Sequence, residues 1–372
     1  MSVRLGINGW RLCAPHTGVA RYLLNVIRHW TPDATDVFSE ITIYTPRPLD
    51  RRLVPLPSNI RERVLGPHWP MIVWENLRFG PAAHDDVLFC PSYSRPIVAR
   101  GRTVVATHDV IYHVRPELFP ASVRLFYRRL YDWSDRHAAA ITTLGHAVKR
   151  EIVAHCRVPA DRVHPIHPAP AETFRPVRDA AALAAVRARR VGADVPFFLF
   201  VGKMTGRRSL PRLLDAFARV KRHGLPHRLV LAGLKPAGGE LDAEAARLGV
   251  AADIIFTGYV EDEELNLLYS AAESFVMPSV YETTSLPVME AQAAGLPVIA
   301  LDTEGLRELT ADTALQVPAM EPALLADAMV RMAGDAELRR DLSTRGLENA
   351  RRFSWRRCSA ETMAVCEKAA AA

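Results

Sequence analysis

Short apolar runs alternate with longer amphipathic stretches along most of this chain. Val3–Asn8 reads as a strand, Gly9 to Thr17 as a polar loop, and the stretch from Gly18 as a helix. Its apolar residues Val19, Tyr22, Leu23, Val26, Ile27 and Trp30 recur at the three- and four-residue spacing of one helical face. Strands are predicted at Ile41–Tyr44, Val87–Cys90 and Thr103–Thr107, and helices at Ser122–Arg136 and Ala147–His155. Residues 158–176 hold five prolines, which excludes a continuous helix or a central strand and marks a link between domains. A second alternation follows. Strands are predicted at Phe197–Val201, Arg228–Ala232, Asp253–Thr257, within 272–278 and from Val298. Helices are predicted at Ala180–Arg190, Leu210–Arg222, Pro322–Ala333, Ala336–Arg351 and Ser354–Ala371. Strands separated by helices in this way build parallel sheets.

Composition narrows the class. A chain of 372 residues exceeds one ordinary core, so two α/β domains are expected. Hydrophobic and charged contents of 49% and 24% are those of a globular protein, and no apolar run approaches the ~20 residues of a membrane span. The first residues lead straight into a strand without the pattern of a signal peptide. Five scattered cysteines lack CxxC spacing, which suggests reduced thiols in the cytoplasm. No metal site is expected, since His164 and His167 lack a third ligand. The net charge of +6 suits anionic partners such as nucleotide sugars, lipid phosphates or an acidic membrane face. A nucleic-acid partner is not expected, because no basic run with interleaved aromatics is present. Of 47 basic residues only five are lysine, at 149, 203, 221, 235 and 368, so each lysine stands out.

The most telling chemistry lies between 279 and 299. Glu282 follows a short strand in a loop, Pro287 suits a first helical turn, and Glu290 falls one turn into that helix. Gly295 and Pro297 end the helix before the next strand. In a parallel α/β sheet, ligands bind in the crevice at such strand ends, and a helix N-terminus offers free N–H groups to an anion. Two helical glutamates alone are more often solvated surface groups.

The Glu-x7-Glu spacing of Glu282 and Glu290, with the block from Phe256 that runs into it, resembles the retaining glycosyltransferases of family 4 (group 1), which use nucleotide-sugar donors. The resemblance covers nearly the whole chain and is strongest from about 197 to 300. It implies the α/β GT-B architecture, two Rossmann-like parallel-sheet domains facing a central cleft. Residues 1–176 would form the acceptor-side domain, with a C-terminal helix at about 355–372 packing back onto it, and 177–354 the donor-binding domain. Val201-Gly202-Lys203 through Arg208 looks like the family's phosphate-binding turn, where an Arg and a Lys are usual. Here Lys203 and Arg208 hold those places with identities exchanged, and both are assigned to the leaving diphosphate. The resemblance gives Glu290 the ribose hydroxyls and Glu282 the hydroxyls of the donor sugar. It sets the Gly258-Tyr259 backbone against the base and makes Gly233 the point of close approach to the nucleotide. Where the family shows Gly-x-Gly, this chain has Thr283, Thr284 and Ser285 before Leu286, a departure that bears on donor sugar choice.

On the N-terminal side, Thr17-Gly18-Val-Ala-Arg-Tyr resembles the family's glycine-rich turn, which implies diphosphate contact through the Gly18 amide. His108-Asp109 matches its strand-end His-Asp, with His108 directed to the donor sugar or phosphate. Gly145 and His146 replace the family's usual Ser-Glu. The basic, aromatic segment Arg124–Trp133, with Pro70–Trp74, suits either a core-facing helix or a membrane surface that admits a lipid-linked acceptor.

The function so implied is metal-independent retaining transfer of a sugar from a nucleoside-diphosphate sugar, of the GDP-mannose or UDP-hexose type. The acceptor is a hydroxyl of a glycan or glycolipid, in polysaccharide biosynthesis. The nucleotide sugar is the donor substrate and no cofactor is implied. A cytoplasmic site is expected, peripheral at the inner membrane face if the acceptor is lipid-linked. The competing readings are an inactive nucleotide-sugar-binding partner protein and a sugar-nucleotide epimerase.

Overall fold

The computed structural model describes residues 3–14, 17–31, 36–192 and 194–371. Packing divides the chain into two units. One runs to Pro168 and resumes at Ser354, and the other is Ala169–Phe353. The division falls at 168/169, earlier than the 176/177 expected from the proline-rich link, because Phe174 is buried in the second unit's core.

The first unit holds a seven-stranded sheet. Its strands are β1 (Val3–Asn8), β2 (Phe38–Thr45), β3 (Ile60–Val64), β4 (Val87–Cys90), β5 (Arg102–Ala106), β6 (Ala140–Thr143) and β7 (Val163–Pro165). They lie in the order β3-β2-β1-β4-β5-β6-β7, all pairings parallel. The second holds six: β8 (Phe197–Val201), β9 (Arg228–Ala232), β10 (Ile254–Gly258), β11 (Ser274–Met277), β12 (Val298–Leu301) and β13 (Leu315–Val317). Their order is β10-β9-β8-β11-β12-β13, again parallel throughout. Each order reverses at its first strand, the doubly wound arrangement whose switch point lies between β1 and β4 in one unit and β8 and β11 in the other.

The central strands are apolar on both faces because helices cover both. Phe197–Val201, Ser274–Met277 and Val298–Leu301 are buried at every position. The strands not anticipated from the sequence include three sheet edges. Residues 60–64 read Ile-Arg-Glu-Arg-Val and are mostly exposed, β7 ends on Pro165, and β13 has three residues. Trp10–Cys13 form a short 3₁₀ turn within the expected polar loop, whose Pro15 and His16 lie outside the described residues. The final helix, Trp355–Ala371, packs with the first unit. Trp30 Nε1 donates to the Ser359 carbonyl at 3.2 Å, and Ser359 Oγ donates to the Val26 carbonyl at 2.8 Å.

Candidate donor site and strand-end histidine

In the second unit, the loops after β8, β9 and β11 gather most of the residues singled out in the sequence. Gly202 and Gly233 follow β8 and β9 with φ of +143° and +131°. A Cβ on Gly233 would lie 2.2 Å from the Gly202 carbonyl oxygen, so the two strand ends are as close as backbone allows. The Gly202 amide donates to the Ala232 carbonyl and the Gly233 amide to the Gly258 carbonyl, which ties three strand ends together. Tyr259, next in the chain, is half exposed.

The cations separate by environment. Lys203 is exposed, whereas Arg208 is buried below Gly202, where a Cβ would stand 3.5 Å from its guanidinium. Burial brings the Arg208 pKa down to about 10, opposed by the Glu282 carboxylate, so the side chain stays cationic at neutral pH. Arg208 Nη1 lies 2.7 Å from Glu282 Oε1, and Arg207 Nη1 lies 2.8 Å from the same oxygen. Sequence reasoning gave Glu282 to the donor sugar. The structure adds that its buried carboxylate is held between two arginines, and Arg207 had no assigned role.

The loop carrying Glu282 is fixed from two sides. Arg207 donates to the Tyr281 carbonyl at 3.1 Å, and the Val280 amide donates to the Arg207 carbonyl at 3.0 Å. A Cβ on Gly305 would fall 1.9 Å from the Glu282 carbonyl oxygen. Gly305 was missed in the sequence, although a glycine in the first turn of a helix is a poor helix former and signals a packing need.

Ser285 precedes the helix Leu286–Ala293, which has Pro287 in its first turn. A serine at this position ordinarily caps the helix with its own oxygen, but Ser285 makes no such bond. Ser285 Oγ and Thr284 Oγ1 are buried without a hydrogen-bond partner. Thr283 is partly buried, as is Leu286. Glu290 is buried one turn into the helix and accepts from Tyr269 Oη at 3.2 Å. Tyr269 was another residue the sequence reading left unassigned.

In the first unit, His108 is buried just beyond β5. Its Nε2 lies 2.8 Å from the Pro91 carbonyl, which only accepts, so Nε2 carries the proton. Burial lowers the ring's pKa below the usual 6.5, leaving a neutral imidazole with Nδ1 as its acceptor. Tyr22 and Tyr93 hold the ring edge-on at 5.1 and 5.2 Å, and Tyr93 Oη donates to Asp109 at 2.7 Å. Gly18 opens the helix Gly18–Arg28, capped by Thr17 Oγ1, which accepts from the Ala20 amide at 3.3 Å. The helix Ala121–His137 contains the basic, aromatic segment. It buries Ser134 and Asp135 and exposes Leu125 and Phe126, so its apolar residues do not supply the core. Trp74, by contrast, is fully buried and donates to the Leu65 carbonyl at 2.7 Å. Among the described residues, no helix is long and apolar enough to cross a membrane.

The two doubly wound sheets define the GT-B glycosyltransferase fold. Sucrose-phosphate synthase from Thermosynechococcus elongatus superposes with a TM-score of 0.77 at 18% identity over 97% of each chain. Anabaena HepE, solved in complex with UDP-glucose, gives 0.76 at 16% identity over 100% of each. Residues 195–335 match the family described as Glycosyl transferases group 1. The O-antigen chain mannosyltransferase B of Escherichia coli is 28% identical over 265 residues, 70% of this chain and 69% of that protein. The chain spans about half the length of the other curated relatives it matches.

Proposed function

We propose that the protein transfers a sugar from a nucleoside-diphosphate sugar to a hydroxyl of a glycan or lipid-linked acceptor, with retention at the anomeric carbon and without a metal in the chemistry. The observation that carries this reading is the pair of buried, unpartnered hydroxyls, Thr284 Oγ1 and Ser285 Oγ, at the start of the helix bearing Glu290. Buried polar atoms without partners in a folded protein call for a ligand or water. In a group 1 glycosyltransferase, polar groups at this helix start suit a donor's phosphate and sugar oxygens.

In this reading Glu290, oriented by Tyr269, accepts from the ribose hydroxyls. Gly202, Gly233 and the Tyr259 backbone accommodate the nucleotide, and Gly18 lends its amide to the diphosphate. Lys203 and Arg208 stabilise the departing diphosphate as the bond from the anomeric carbon to the phosphate oxygen breaks. The acceptor oxygen forms the new bond on the same face, and its proton passes to the leaving phosphate. Glu282, held by both arginines, orients sugar hydroxyls and is not a nucleophile. Neutral His108 presents Nδ1 to a hydroxyl. GDP-mannose and UDP-hexoses are the donors of first choice, the former because one relative is named a mannosyltransferase. A lipid-linked acceptor would bring the exposed Leu125 and Phe126, with Arg128 and Arg129, against an acidic membrane face.

Thermal shift against UDP, GDP, ADP, dTDP and their sugars tests the donor site, because a ligand of the native state raises Tm by mass action. One nucleotide should raise Tm in the native chain and not in Glu290→Ala. No shift with any of them would overturn the assignment. With the donor known, NMR of the product gives the anomeric configuration, and inversion would reject the mechanism.

A further inference from the structure

A second constellation of reactive side chains lies in the first unit, apart from every residue assigned to the donor. His113 ends the short helix Ile111–Val114 but for one residue, Asp132 lies in the helix Ala121–His137, and Cys156 closes the helix His146–Cys156. His113 Nε2 is 2.7 Å from Asp132 Oδ1, and Cys156 Sγ is 3.5 Å from the same oxygen. The three donor atoms all lie within 4.8 Å of one another. The His113 and Asp132 side chains are 7% and 17% exposed, and Cys156 is buried.

A second observation points into this cluster. Asp135, one turn beyond Asp132, is buried, and its Oδ1 accepts from Thr107 Oγ1 at 2.6 Å. Its Oδ2 is buried without a hydrogen-bond partner. The His113 ring and the Cys156 thiol share one oxygen of Asp132, while Asp135 Oδ2 has no donor, and a cation would take these side chains and the spare oxygen as ligands.

We propose that His113 Nε2, Asp132 Oδ1 and Cys156 Sγ bind a divalent zinc ion, with Asp135 Oδ2 or a water in the fourth place. Mixed nitrogen, oxygen and sulfur donors favour zinc over the oxygen-loving magnesium or calcium. Tetrahedral zinc sites set ligand atoms roughly 3.3 to 3.8 Å apart, so the Sγ–Oδ1 spacing already suits and the His113–Asp132 pair opens by roughly 0.6 Å. Binding expels the thiol proton, and affinity therefore rises with pH. The ion would pin three helices together and, through the Asp135–Thr107 hydrogen bond, brace the residue next to His108. The site is structural, and it stands independently of the donor assignment.

The full chain, stripped with a chelator, is titrated with Co²⁺. Stoichiometric uptake should bring tetrahedral visible bands and a near-ultraviolet thiolate-to-cobalt band, both removed by Zn²⁺, and Zn²⁺ should raise Tm. Cys156→Ser should lose the thiolate band, while Cys13→Ser keeps it. His113→Gln should weaken uptake at least tenfold, which serves as the second variant if Cys156→Ser does not fold. No cobalt spectrum in the native chain, or a thiolate band that survives Cys156→Ser, overturns the proposal.

Discussion

The carbonyl oxygen of Gly202 occupies the place where a side chain on Gly233 would begin, 2.2 Å from an ideal Cβ. Both residues also hold left-handed backbone. Gly233→Ala therefore forces β8 and β9 apart where they end. The expected loss is about 2 to 4 kcal/mol in urea denaturation. Nucleotide-induced thermal shift should fall with it. A variant as stable as the native chain would show that the strand ends yield easily.

The Arg208–Glu282 pair is buried, and a buried charge deprived of its partner is costly. Arg208→Met leaves Glu282 to Arg207 alone and should destabilise by about 3 to 5 kcal/mol. The double variant Arg208→Met with Glu282→Leu should recover part of that loss while donor binding stays absent. Full additivity of the two single substitutions in a denaturation cycle would deny the coupling.

Ser285 holds a capping position without capping. Ser285→Ala should change stability by less than about 0.5 kcal/mol, below the ~1 kcal/mol of an ordinary cap. Affinity for the nucleotide sugar should drop severalfold in calorimetry. A large stability loss with unchanged affinity would mean the hydroxyl serves the fold.

Glu75 gives the first unit a pH dependence. It is buried, accepts from Asn8 Nδ2 at 2.9 Å, and its carboxyl is raised to about 7 from 4.5 by burial. Below the unfolded value both states keep the proton and nothing is lost. Between 4.5 and about 7 the unfolded chain ionises and the folded chain does not, so stability falls as pH rises through that window. The full effect is about 3 kcal/mol. Glu75→Gln should flatten the profile of stability between pH 5 and 7, and an unaltered slope would assign it elsewhere.

The sheets were legible because buried central strands are continuous apolar runs, as at Phe197–Val201, and because Gly, Pro and amphipathic spacing mark the helices between. The edge strands β3 and β13 were not, since a strand paired on one side needs no apolar signature. At the site, Glu282, Glu290 and the glycines stood out by spacing. Arg207, Tyr269 and Gly305 did not, because each acts through a residue far away in sequence. Gly305 meets Glu282 and Tyr269 meets Glu290 only once the helices are in place. The His113, Asp132 and Cys156 grouping was hidden for the same reason, with three helices supplying one atom each.

The helix Trp355–Ala371 completes the first unit by burying Trp355, Met363 and Cys366, yet it is made after the whole second unit. The second unit is one continuous stretch and closes on its own sequence, whereas the first joins two stretches that the second separates. Without the helix Trp355–Ala371 an apolar face beside the helix Gly18–Arg28 stays uncovered, and a chain lacking residues 355–371 would present it as a hydrophobic surface that chaperones recognise.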